Sequence, residues 1–205
     1  MGSAIAKSLA KGNDRLLLFS KELDKVEALK AEIIGEYPLA DIDGMTCPMH
    51  ASWEADIIIL ATPYEAQSEI ADSIRQVANQ KIVISIANPL NASYDALVTN
   101  PETSAAEELQ ALLPHAKVVK AFNTTYAANF AQTVIDGKQA DAFIAGNNDA
   151  ALETTAELVK TTGFNPIIAG KLSVSRTLEA MQLLLIQLTI KNNYNWLAGW
   201  KILHQ

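Results

Sequence analysis

Cysteine is almost absent: Cys47 stands alone, so no internal disulfide can form, and a reduced, cytoplasmic protein is the expectation. Histidine is nearly as sparse. His50, His115 and His204 are scattered without the close spacing of metal ligands, which predicts no bound metal. Positive charge is short as well: 16 Lys and Arg against 23 Asp and Glu leave a net charge of -7, which argues against a nucleic-acid partner. The most apolar stretch, Leu178 to Ile190, is shorter than a bilayer span and is interrupted by Glu179, Gln182 and Gln187. It reads as a buried helix, and no membrane partner is expected. The first thirty residues lack the basic, apolar, small-residue order of a secretory signal, so no export is implied. Also missing are a G-x-S-x-G elbow, a G-x-x-x-x-G-K phosphate loop and a carboxylate pair beside a histidine. Hydrolysis and phosphoryl transfer therefore have no visible machinery.

What is present is apolar material, 49% of 205 residues, enough for one well-buried core with at most a small appendage. Short aliphatic runs alternate with longer helical patterns, which predicts an α/β fold with a mostly parallel sheet. The predicted strands are Leu16 to Phe19, Ile57 to Ala61, Ile82 to Ile86, Val118 to Ala121, Ala142 to Ala145 and Pro166 to Ala169, with a weaker one near Leu39 to Asp43. Helices are predicted over Ser3 to Ala10, Leu23 to Ile34, Tyr64 to Ala78, Ala105 to Leu113, Asp149 to Thr162 and Ser173 to Lys191. Asn88 to Ser104 carries Pro89, Pro101, Asn91 and Asn100 with little periodicity and reads as a long surface connection.

In an open parallel sheet the ligand sits beyond the carboxyl ends of the strands. After the first run stand Ser20 and Lys21, a donor and a cation suited to the extra phosphate of NADP; equally, Ser20 can cap the next helix and Lys21 can be a solvated surface charge. Thr62-Pro63-Tyr64 follows the second predicted strand, with backbone amides that can face a pyrophosphate and a ring that can pack on ribose or on the protein. Asn88 and Pro89 end the next run, and Phe122, Asn123 and Thr124 the one after. A side-chain amide offers a donor and an acceptor to the edge of a planar heterocycle. Hydride transfer between two such rings needs mainly positioning, because the cofactor supplies the reactivity.

These strand ends resemble a family. Ile57-Ile58-Ile59-Leu60-Ala61-Thr62-Pro63, Ala87-Asn88-Pro89-Leu90 and Val118-Val119-Lys120-Ala121-Phe122-Asn123-Thr124, continuing through Gly163-Phe164-Asn165-Pro166 to Arg176-Thr177-Leu178-Glu179, are similar to the NADPH-dependent reductases of the deazaflavin coenzyme F420. The cytosolic domain of flavin-linked metalloreductases shares the pattern. The resemblance implies a Rossmann-like, doubly wound NADP-binding domain over residues 1–170 and a short helical extension over 171–205, packed on that domain or at a homodimer interface. It implies hydride transfer between the nicotinamide and a small planar acceptor, a flavin, a deazaflavin or a chelate reached through a flavin. Ser20 and Lys21 then take the 2'-phosphate, Thr62, Pro63 and Tyr64 line the cofactor, and Asn88 and Pro89 edge the nicotinamide pocket. Phe122, Asn123 and Thr124 lie where donor and acceptor meet, with Asn88 and Asn123 as the catalytic, ring-orienting pair. Arg176 and Glu179 are expected to lock the last helix to the sheet.

Two other functions stay open at this stage. One is an imine or keto-acid reductase, although the residues after Ser173 are few for the helical domain those enzymes append. The other is a nucleotide-binding or interaction module with impaired cofactor binding.

Met1-Gly2-Ser3-Ala4-Ile5-Ala6 is similar to the tail of the family's glycine fingerprint, with Gly2 as its third glycine. On that resemblance the first strand and first two glycines are absent from the chain. The expectation is that a form extended by about ten residues carrying them binds NADPH far more tightly. Equal dissociation constants for the two forms would contradict it.

Overall fold

The structure is a computed structural model, described here for residues 1–204. In chain order the elements are α1 (Gly2–Leu9), β1 (Leu16–Phe19), α2 (Leu23–Glu36), β2 (Ile42–Met45), α3 (Pro48–Glu54) and β3 (Ile57–Leu60). A 3-10 turn (Tyr64–Ala66) leads into α4 (Gln67–Ile74), then β4 (Ile82–Ser85), α5 (Ala105–Leu112) and β5 (Lys117–Lys120). A second 3-10 turn (Ala127–Phe130) and a small hairpin, β6 (Val134–Ile135) and β7 (Lys138–Gln139), precede β8 (Asp141–Gly146), α6 (Asp149–Thr161) and β9 (Asn165–Gly170). A third 3-10 turn (Leu172–Val174) opens α7 (Ser175–Asn192).

The main sheet has the order β3-β4-β5-β8-β9, and β1 and β2 form a separate parallel pair. Neighbours β3, β4 and β5 run parallel, as do β8 and β9, because a helix crosses between them. The exception to the expected parallel sheet is β5 against β8, which is antiparallel. Between them lie only the second 3-10 turn and the hairpin, so the chain reverses without a crossover helix. Among the described residues β1 pairs only with β2 and β3 only with β4, which leaves each with one free edge.

Both faces of the main sheet are covered. Val83, Val118, Ile58 and Leu60 pack against Ala71 and Ile74 of α4 and Leu109 of α5. Ile84, Val119 and Ile144 point the other way, toward Ile5 and Leu9 of α1 and Leu152 and Val159 of α6. Adjacent residues Val83 and Ile84 thus serve opposite layers, which is why the strands read as continuous aliphatic runs rather than as alternation.

Three local expectations need correction. The helix predicted from Tyr64 to Ala78 is a 3-10 turn followed by α4, and the amides of Val77 and Ala78 both turn back onto the Ile74 carbonyl. The weak strand sits at Ile42–Met45, and α3 was not foreseen, its seven residues being too few to display a period. After α7 the chain is not helical: Asn193 adopts a left-handed conformation and the tail crosses to the start of β8. There the Asp141 amide donates to the Trp200 carbonyl at 2.8 Å. The buried Asp141 carboxylate accepts from the Ile202 amide (2.6 Å), Lys201 Nζ (2.8 Å) and Asn165 Nδ2 (2.6 Å). No described helix is long and apolar enough to cross a membrane, and no group of three or more His, Cys, Asp or Glu among the described residues could hold a metal.

Burial alone would raise the Asp141 carboxyl, but the hydrogen bonds from Ile202, Lys201 and Asn165 outweigh it and hold the group below the usual range. A carboxylate so depressed contributes stability above its unfolded value of about 4, and that contribution is lost as pH falls through the folded value. Protection of the Ile202 amide from hydrogen exchange, measured against its intrinsic rate at the same pH, is accordingly expected to fall below about pH 4. Asp141→Ala should show the same loss of protection at neutral pH and cost about 1–3 kcal/mol. An Ile202 amide indifferent to both changes would contradict this anchoring.

Candidate functional site

The carboxyl ends of β1, β3, β4 and β5 bring the sequence-predicted residues to one side of the molecule. At the first lip, α1 begins against the end of β3: a Cβ placed on Gly2 would sit 3.2 Å from Cβ of Ala61. A side chain there would have to push its neighbour back by a few tenths of an ångström, so glycine suits this close start, and the helix's first amides lack intrahelical partners. The N-terminus of α1 therefore has the character of an anion site.

Ser20 Oγ accepts from the Glu22 amide at 3.2 Å, so its lone pair shapes the entry to α2 while its hydroxyl proton remains available to an acceptor. Lys21 Nζ makes an exposed ion pair with Glu69 Oε1 at 2.8 Å. Pro63 is exposed, and its carbonyl accepts from the Ala66 amide to open the 3-10 turn. Thr62 is half-buried beside it. Tyr64 donates its hydroxyl to Glu108 Oε2 at 2.6 Å. Burial first, and the Glu108 carboxylate second, push the phenol up to about 12, so it stays protonated and tethers the loop to α5.

The ends of β4 and β5 are tied together by two amides. Asn88 Nδ2 donates to the Asn123 carbonyl (2.9 Å), and Asn123 Nδ2 donates to Asn88 Oδ1 (3.0 Å) and to the Leu178 carbonyl of α7 (3.1 Å). Pro89 is buried next to this pair. Phe122 takes a positive φ of 59°, uncommon for a bulky residue, and its ring is wholly buried, 5.6 Å from the ring of Phe130. The ring thus supports the turn from inside. Asn123 Oδ1 and Thr124 Oγ1 are buried without a hydrogen-bond partner among the described residues. Unsatisfied buried oxygens at strand ends are costly unless something else bonds them.

The sequence reading passed over what lies beneath. Lys120, inside an apolar strand, is fully buried and donates to Glu179 Oε1 of α7 at 2.5 Å and to the Ala87 carbonyl, one residue before Asn88. Glu179 Oε2 accepts the Ala105 amide at the N-terminus of α5 (3.1 Å). Burial pushes the Lys120 ammonium down and the Glu179 carboxyl up, each opposed by the partner's charge. Arg176 completes the lock with two bonds to the Glu107 carboxylate (2.8 and 2.7 Å), which hold that carboxyl below its usual range. Glu179 thus fastens α7 to the sheet and to α5, whereas Arg176 fastens it to α5 and not to the sheet. The signal for Lys120 was available: a lysine within an aliphatic run. A concavity lined by Glu107, Gln110, Lys117, Asn147 and Asn148 opens at the opposite end of β5. There Asn147 Oδ1 accepts the Leu172 amide and Asn148 caps α6, so these two serve local structure.

Comparison with known proteins bears on this side of the sheet. A family model described as NADP oxidoreductase coenzyme F420-dependent matches residues 1–89, through Asn88 and Pro89. The F420-dependent NADP reductase of Methanocaldococcus jannaschii is 33% identical over 199 residues, covering 93% of this chain and 88% of that one. The chain belongs to the F420-dependent NADP oxidoreductase family. Metalloreductase STEAP3 of Rattus norvegicus is 30% identical over 131 residues, 64% of this chain and 26% of its own. The crystal structure of a candidate F420-dependent NADP reductase of Arthrobacter sp. FB24 superposes with a TM-score of 0.85 at 23% identity, covering 99% of this chain and 95% of that one. That likeness establishes the Rossmann-like α/β fold with its long last helix, and the family membership rests on the sequence identity.

Removing one member of the buried pair leaves an uncompensated charge. Glu179→Gln or Lys120→Met is expected to cost about 3–5 kcal/mol in urea unfolding, whereas the double substitution Lys120→Met with Glu179→Leu should cost much less than the sum. Strict additivity of the single losses would contradict the pairing.

Proposed function

We propose that the protein is an NADP(H)-dependent oxidoreductase that moves a hydride between the nicotinamide and the deazaflavin F420. The observation that carries this is 33% identity to an F420-dependent NADP reductase over 93% of the chain, because the match spans both halves of the crevice. NADPH supplies the hydride when bound. The residues present fit such a ligand: the α1 N-terminus suits a pyrophosphate, Ser20 and Lys21 a 2'-phosphate, and the buried Asn123 Oδ1 and Thr124 Oγ1 are polar atoms left without a partner among the described residues at the end of β5.

In this reading Thr62, Pro63 and Tyr64 form the wall along the cofactor, with Tyr64 held by Glu108 rather than free to move. Asn88 and Asn123 fix each other and so present rigid amide edges to the rings, while Pro89 and Phe122 back the turn apolarly. The protein's contribution is orientation at contact distance. Residues 1–170 form the cofactor domain, and 171–205 the segment that closes its far side. A second copy covers the exposed Leu184 and Leu188 of α7, making the enzyme a homodimer.

The test is NADPH oxidation followed at 340 nm with F420 as acceptor. Turnover is expected with F420, and Asn88→Ala should lower kcat by about tenfold or more while leaving the NADPH dissociation constant within a few-fold. Absence of oxidation by a protein that binds NADPH, or an unchanged kcat in Asn88→Ala, would contradict the assignment.

A further inference from the structure

Lys21, proposed with Ser20 to take the NADP 2'-phosphate, already has a carboxylate partner. Lys21 follows β1, and Glu69 lies in the first turn of α4, which follows β3. Their 2.8 Å ion pair joins residues 48 apart in sequence. It therefore ties together two lips of the crevice that share no strand pairing among the described residues. Both side chains are about 70% exposed, at 72% and 69%, so neither is held by burial. The next lysine along α2, Lys25, is engaged with Glu22 at 2.7 Å. Lys21 is thus the cation nearest the end of β1, and its charge is balanced by a carboxylate on the facing element.

From this the geometry points to Glu69 as a specificity-determining residue that tempers the preference for NADP(H) over NAD(H). A 2'-phosphate, close to doubly charged at neutral pH, must either share Lys21 with Glu69 or displace Glu69 from it, and in both cases lies near that carboxylate. NAD(H) carries a hydroxyl at that position and leaves the pair undisturbed. The inference rests on the NADP assignment, and it concerns only the difference between the two nucleotides.

Exposed ion pairs are weak, so the change is modest in size but defined in sign. In Glu69→Gln the dissociation constant for NADPH should fall by about two- to five-fold while that for NADH stays unchanged, raising the preference by the same factor. The gain should shrink in 0.5 M salt, where the Debye length is about 4 Å. With Lys21→Ala in the background it should diminish, since no lysine is left to release. Titrations of the intact chain with NADPH and NADH by intrinsic fluorescence read all of these. An unchanged NADPH constant in Glu69→Gln, or equal shifts for both nucleotides, overturns the inference and leaves the NADP assignment standing. A protein that binds neither nucleotide at millimolar concentration overturns the assignment, and the inference with it.

Discussion

The ion pair of Lys120 and Glu179 is where the layers of this protein meet. One ammonium bonds the carbonyl that precedes Asn88 and the carboxylate of α7, and that carboxylate in turn receives the first amide of α5. Four elements, β4, β5, α5 and α7, converge on two charges excluded from solvent. Such a pair contributes little net stability compared with apolar packing, because desolvation offsets the attraction. What the pair does here is tie these elements together through several hydrogen bonds at once.

That arrangement determines what lies above it. Asn88 is held by the backbone of Asn123, and Asn123 by Asn88 and by α7, so the two amides are fixed from both sides. The positive φ of Phe122 stores strain of about 1–3 kcal/mol, which the buried contact with Phe130 and the hydrogen bond from Thr125 Oγ1 to the Phe122 carbonyl (2.8 Å) offset. Strain, a buried charge pair and two unsatisfied oxygens all fall within a few residues of one another at the ends of β4 and β5. Local rules are broken together mainly where function requires it. At the opposite end of the same sheet Asn148 caps α6 and Asn147 accepts the Leu172 amide, and no fully buried ion pair lies there among the described residues.

Much of the architecture was legible because buried parallel strands are continuous aliphatic runs. Ile57 to Leu60 and Ile82 to Ser85 announce themselves by composition alone. The antiparallel turn of β8 was not legible, for direction depends on how residues 121–140 pack and nothing periodic marks that segment. The residue types of the candidate site stood out at strand ends, Asn88 and Asn123 both as side-chain amides at successive ones. Their mutual bonding was hidden, as was the partnership of Lys120 with Glu179, 59 residues away, because contacts between distant positions leave no local pattern. Conversely, Lys21 looked like a free cation in the sequence and is engaged in the fold.

The central claim is that the rigid amide pair above the buried charges is where the nicotinamide ring is held. A crystal structure of the protein with NADP+ tests this most directly. The account predicts the carboxamide ring at the ends of β4 and β5, within hydrogen-bond reach of Asn88, Asn123 or Thr124, with the 2'-phosphate beside Ser20 and Lys21. A ring bound instead in the concavity between Gln110 and Asn148, or directed away from the two asparagines, would contradict it.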